Sequence, residues 1–139
     1  MATHEAAAAD GGPLNTVVLR GRISMLPEER RLPSGDVIVS TRVVVDRGTP
    51  PAKSGRGRSR QRVDALDCVA WSAQAKRAVR RWQLGDEVCV EGAIRRRFFR
   101  SERGLVSRVE VEVLTARLVA SKARTRRAQP VTAGAAGTG

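Results

Sequence analysis

The sequence predicts an all-β fold, a five-stranded barrel with one helix between the third and fourth strands. Three observations carry this. Four strand-like runs place successive side chains on opposite faces with a period of two, and a fifth, residues 36–46, is dense in β-branched residues. A single segment, residues 72–84, instead repeats its apolar positions with helical spacing. Its place, after three strands and before two more, fixes the element order. At 139 residues the chain has room for one domain with a modest core.

The first strand is NTVVLRGRIS, residues 15–24, with Val17, Leu19, Gly21 and Ile23 on one face and Val18, Arg20 and Arg22 on the other. Pro27 and then LPSG at 32–35 punctuate a turn. The second strand, DVIVSTRVVVD at 36–46, is dense in β-branched residues and carries Arg42. RGTPPAKSGRGRSRQ follows, a long basic loop by composition, functional or merely solvated. In the third strand, RVDALDCVAW at 62–71, Leu66, Cys68 and Ala70 oppose Ala65, Asp67, Val69 and Trp71.

Ser72 is placed to cap a helix whose Ala75, Ala78, Val79 and Trp82 form one apolar stripe, and Gly85 ends it. The opposite helical face, Lys76, Arg77, Arg80 and Arg81, reads as solvated charge. Val88, Val90, Gly92 and Ile94 of the fourth strand, residues 87–99, point inward; Ala93, Arg95, Arg97 and Phe99 share the other side. SERG at 101–104 makes a hairpin turn into the last strand, residues 106–118, whose Val109, Val111 and Val113 alternate with Arg108, Glu110 and Glu112. This order is the plan of an OB barrel.

Charge is the other strong signal. The formal net charge is +12, and aromatic residues make up only 3%. Residues 1–13 carry two acids and no base, and residues 119–139 carry four bases and no acid, so +10 lies between them. Charge held on a folded surface can form a binding site, not just a diffuse attraction. The expected organisation is a disordered leader at 1–13, the barrel at 14–118 and a disordered basic tail at 119–139. No apolar run approaches the roughly 20 residues of a membrane span, and the N-terminus lacks a secretory pattern, which points to a cytoplasmic protein without a membrane partner. Cys68 and Cys89 lie in strands without metal-ligand spacing and are expected to be reduced core thiols. No nucleophile–base pair, phosphate-binding glycine loop or metal motif appears, so neither an enzyme nor a cofactor is expected.

Three segments carry a family resemblance: LNTVVLRGRISMLPEERRLPSG, LDCVAW followed by a helix, and LGDEVCVEGAIRRRFF. In this order they resemble the bacterial single-stranded DNA-binding proteins, SSB, over residues 14–118. The resemblance implies sequence-tolerant binding of single-stranded DNA in replication, recombination or repair, with a nucleoid-associated location. Family stacking positions fall on Trp71 and on Phe99, with Phe98 beside it, and family basic positions on Arg95 and Arg97. Two further family aromatics are missing: one position holds Ala65, and the other has no counterpart around residues 45–48. The family's acidic C-terminal tip is replaced by a basic ending, as in a shortened paralogue. The family further implies a homo-oligomer, a tetramer first and a dimer second.

Phosphate attraction is then expected from Arg20, Arg22, Arg42, Arg95, Arg97, Arg56, Arg58, Arg60 and Arg62, and stacking from Trp71 and Phe99. Phe98 and Phe99 point to opposite faces, and Phe99 shares its face with Arg95 and Arg97. Trp82, on the inward helical stripe, reads as a barrel plug. Glu110 and Glu112 read as a salt-bridged surface flanked by Arg108, not a metal site. With a reduced stacking platform, binding should lean on phosphates and be unusually salt-sensitive. Two alternatives remain: an assembly module pairing with a full-length SSB while adding little DNA affinity, and an RNA binder.

Overall fold

The computed structural model describes residues 11–48 and 62–122. Its elements are β1 (Val17–Arg31), β2 (Val37–Asp46), β3 (Val63–Ala70), α1 (Ala73–Arg80), β4 (Glu87–Ser101) and β5 (Gly104–Ala120). The strands close into a barrel in the order β1-β2-β3-β5-β4, with β4 returning to β1. All neighbours are antiparallel except β3 and β5, which run parallel through Cys68↔Val111, Val69↔Glu112 and Ala70↔Val113. The barrel closes through this short parallel seam at the end of β3.

The interior is built from the expected faces. Ile23, Val39, Val43, Cys68, Ala70, Val88, Val90, Val111 and Val113 pack together with Ala75, Val79 and Trp82. The helix begins as its sequence dictates, the Ala75 amide donating to Ser72 Oγ at 3.1 Å. It stops at Arg80, one turn earlier than expected, and the Trp82 amide still donates to the Val79 carbonyl at 3.0 Å. Trp82 is therefore just beyond the helix yet buried in the core, as a plug requires. Gly85, at φ +86°, turns the chain into β4 and does not cap the helix. Two of the helix's basic residues are tied down: Lys76 Nζ donates to the Val37 carbonyl, and Arg80 pairs with Glu29.

Asp86 fastens the seam where β1, β4 and β5 meet. It is buried, with Oδ2 accepting from the Gln83 amide at 2.8 Å and Oδ1 from the Lys122 amide at 3.1 Å. Its carbonyl accepts from the Ile23 amide. Gly92 is required by close approach: a Cβ there would run into the Glu112 backbone oxygen.

Four further expectations need correction. First, β1 does not turn at Pro27 but continues to Arg31, leaving LPSG as the turn, with Gly35 at φ +97°. The ladder is irregular between Ile23 and Met25 and again between Met25 and Glu28, so Pro27, which has no amide to donate, falls in the unpaired stretch. Thr41 Oγ1 donates to the Met25 carbonyl there at 2.6 Å. Second, Ile94 and Val109 are about half exposed although their strand faces point inward, because the β4–β5 hairpin extends beyond the core they would have entered. Third, Glu110 is buried, not on an outer surface. Fourth, Cys68 is a core thiol but Cys89 is only half-buried, paired across the ladders with Arg20 and Arg117; both are free. No helix among the described residues is long and apolar enough to cross a membrane.

Candidate nucleic-acid interface

A shallow groove of about 200 Å³ crosses the outer side of the barrel. Its floor is β2 and β3, where Ile38 and Val69 are buried without joining the main core. Met25, Glu28 and Arg30 of β1 form one wall, and the last two belong to a strand only because β1 runs past Pro27. The β4–β5 hairpin forms the other with Arg97, Arg108 and Glu110. Outer strand faces flanked by the β1–β2 and β4–β5 connections are where OB barrels accept oligomeric ligands.

The groove carries both signs of charge: Arg30, Arg42, Arg97 and Arg108 against Glu28, Asp67 and Glu110. Arg42 Nε donates to Asp67 Oδ1 at 3.0 Å. Across the hairpin the pairing is diagonal. Arg95 Nε donates to Glu112 Oε1 at 2.8 Å, and Arg97 grips Glu110 with Nε and Nη2, both at 3.2 Å. The Glu110 side chain is only 3% exposed and that of Arg97 22%, so this pair is withdrawn from solvent on both sides. Phe99 completes the rim, its half-buried ring centroid 5.9 Å from the Arg97 guanidinium carbon and 5.6 Å from that of Arg108. Trp71 follows the last residue of β3, half-buried, two positions beyond Val69 on the groove floor.

The other arginines singled out in the sequence are not brought to this groove. Arg20 and Arg22 lie at the opposite end of β1, where with Lys122 they line a separate cleft of about 470 Å³. There Arg20 faces Glu87 at 3.9 Å and Arg22 faces Asp46 at 3.7 Å. Arg62 is exposed at the start of the described part of the second segment, its carbonyl accepting from the Arg47 amide. Arg56, Arg58 and Arg60 lie outside the described residues. All five strand arginines chosen for phosphate attraction, Arg20, Arg22, Arg42, Arg95 and Arg97, thus face a carboxylate.

The sequence reading missed Arg30 and Arg108. Arg30 is hidden by taking Pro27 as a strand end. Arg108 has a legible signal: with the turn at 101–104, counting outward along the hairpin sets it opposite Arg97, two positions from Phe99. The salt-bridged character of Glu110 and Glu112 is observed, with Arg97 and Arg95 as partners in place of Arg108. Beside the β2–β3 connection, Arg47 forks onto Asp64, holding that carboxyl below and the guanidinium above their ordinary ranges. Burial pushes the Cys68 thiol up to about 12, helped by nearby Asp67 and Glu110, so it stays protonated.

Comparison with known proteins agrees with this architecture. The single-stranded DNA-binding protein 3 of Listeria innocua serovar 6a is 31% identical over 91 residues, covering 66% of this chain and 54% of that protein. The single-stranded DNA-binding protein A of Bacillus subtilis (strain 168) is 30% identical over 102 residues, covering 71% and 56%. The chain thus spans about half the length of the curated relatives it matches. Among solved structures, the Plasmodium falciparum SSB complex with ssDNA superposes with a TM-score of 0.60 at 16% identity, covering 78% of this chain and 96% of that one, a likeness of fold. With a closed OB barrel in place and residues 14–121 matching the family description over most of the sequence, the chain belongs to the single-strand binding protein family.

Proposed function

We propose that this protein is a non-enzymatic binder of single-stranded DNA, serving replication, recombination or repair. The observation that carries the proposal is the groove over β2 and β3, with four guanidinium groups on its lining and Phe99 on its rim. Phosphates would engage the arginines while bases stack on Phe99 and Trp71, each stacked base contributing about 1–3 kcal/mol. Family membership and the names of its relatives support the same ligand. The homo-oligomeric state, tetramer before dimer, is proposed on family grounds.

Ion pairing changes the expected salt dependence. An arginine that leaves a carboxylate for a phosphate exposes the acid to counterions, so it adds less to net counterion release than a free arginine does. The salt slope should follow the unpaired arginines and fall short of the full basic count. The same observation favours a second reading, the assembly module that pairs with a fuller family member and adds little affinity of its own.

The test is a titration of the Trp82→Phe variant, in which Trp71 is the sole tryptophan, with oligo-dT and with duplex DNA at several salt concentrations. Quenching by oligo-dT alone supports the proposal. Absence of quenching at low salt refutes stacking by Trp71, and equal binding of duplex refutes a single-strand groove. Weak binding alone, together with co-purification as a hetero-oligomer, supports the assembly module.

A further inference from the structure

The β4–β5 hairpin has a second face. Cross-strand partners share a side, so Arg95, Arg97 and Phe99 lie with Glu110, Arg108 and Val106 on the groove side. The reverse side then carries Ile94, Arg96, Phe98 and Arg100 from β4, with Val109, Ser107 and Leu105 from β5. The two sides differ in chemistry. On the groove side, Arg95 and Arg97 are held by Glu112 and Glu110, and Phe99 is half-buried beside two guanidinium groups. On the reverse side Phe98 is 60% exposed, and Ile94, Leu105 and Val109 are exposed around it. No carboxylate lies on that face between Ile94 and Arg100 or between Leu105 and Val109. Arg96 has only a 3.3 Å hydrogen bond to Ser107 Oγ, and among the described residues Arg100 has no side-chain partner.

We propose that this reverse face is a second contact surface for single-stranded DNA, with Phe98 stacking on a base and Arg96 and Arg100 taking the flanking phosphates. The inference rests on the reading of the protein as a single-strand binder. It makes the hairpin a finger contacted on both sides, with the more accessible aromatic on the side away from the groove. Charge complementarity selects the ligand. A second copy of this face would set guanidinium groups against guanidinium groups with no acid on either side, a costly burial. Single-stranded DNA supplies both what the exposed ring can stack on and the anions that the arginines lack. Alternation along β4 puts Arg96, Phe98 and Arg100 in one row at steps of about 6.8 Å.

The test uses the full chain and fluorescein-labelled oligo-dT. Phe98→Leu keeps an apolar side chain and removes the π surface; it should weaken binding about fivefold or more, the equivalent of losing one stacked base. Arg96→Gln with Arg100→Gln should lower the salt slope by about 1.4, or 0.7 for each phosphate no longer neutralised. Circular dichroism and sedimentation velocity accompany each variant. If Phe98→Leu and the double variant match the parent in affinity and slope while Trp71→Leu weakens binding, the reverse face is not a DNA contact and the groove reading stands. If the variants change the sedimenting species and leave oligo-dT affinity intact, the face is a protein interface and the inference is overturned. If the parent itself binds no oligo-dT, the functional reading fails and takes this inference with it.

Discussion

Replacing Glu110 with Gln should make the protein less stable and a tighter binder of DNA at low salt. Glu110 is buried, and its carboxylate receives both Nε and Nη2 of Arg97. Gln keeps the shape but removes the charge and can accept with only one of its two terminal atoms. Breaking a buried ion pair by neutralising one partner costs about 3–5 kcal/mol when the remaining charge is trapped. Arg97 is 22% exposed and can turn toward water, which brings the expected loss down to roughly 2–3 kcal/mol. Urea denaturation measures this directly as a shift in midpoint at constant m-value. The released guanidinium sits in the groove wall beside Phe99, so the slope of log affinity against log salt should steepen by about 0.7. A stability change below about 0.5 kcal/mol would show that the pair is not a structural element. Loss of stability with an unchanged slope would show that Arg97 is not withheld from phosphate by Glu110.

Four other perturbations probe the frame of the barrel and its thiols. Trp82→Ala should cost about 3–5 kcal/mol by emptying the barrel plug, read by denaturant unfolding; a loss under 1 kcal/mol would place the ring outside the core. Gly92→Ala should cost roughly 1–3 kcal/mol, because its Cβ meets the Glu112 backbone and β4 must move from β5; an unchanged melting temperature contradicts this. The Cys68 thiol is raised to about 12 in the folded protein and sits near 8.5 when unfolded, so the folded form keeps a proton that the unfolded form releases. Its contribution is complete below about pH 8.5 and is lost as pH rises toward 12, by about 1.4 kcal/mol per unit. Denaturation between pH 8 and 10.5 should therefore show a decline that Cys68→Ala flattens; parallel curves for the two proteins refute the assignment. In the native state DTNB should modify half-buried Cys89 and spare Cys68 until unfolding, and equal rates would contradict the burial difference.

Much of this molecule is legible from local pattern. The strand alternation, the Ser72 cap, the turn at 101–104 and the inward placement of Trp82 depend on periods of two and 3.6 residues and on short-range hydrogen bonds, which a chain displays in one dimension. The family motifs are legible for the same reason. The helix end and the passage of β1 through Pro27 are less so, since tertiary pairing overrides the local breaker: β2 offers partners on both sides of the irregularity, and Thr41 satisfies the Met25 carbonyl between them.

The character of the candidate site lies further from the sequence. Alternation states which residues share a face, and Arg95, Arg97 and Phe99 do share one. It does not state whether that face meets core, groove or solvent once a hairpin outruns its barrel. Ile94 and Val109 keep inward parity and are exposed, while Glu110 keeps outward parity and is buried. Nor does it reveal diagonal ion pairs, which depend on the β4–β5 register and the reach of each guanidinium. From the sequence come the barrel, its polarity and the side chains available for binding. Closure of the sheet divides those arginines between a groove and a separate cleft and pairs five of them with acids, leaving unpaired guanidinium and an exposed ring on the reverse of the hairpin. The physical reason is that periodicity is a property of neighbours along the chain, whereas burial and charge pairing belong to residues that meet only when distant strands close.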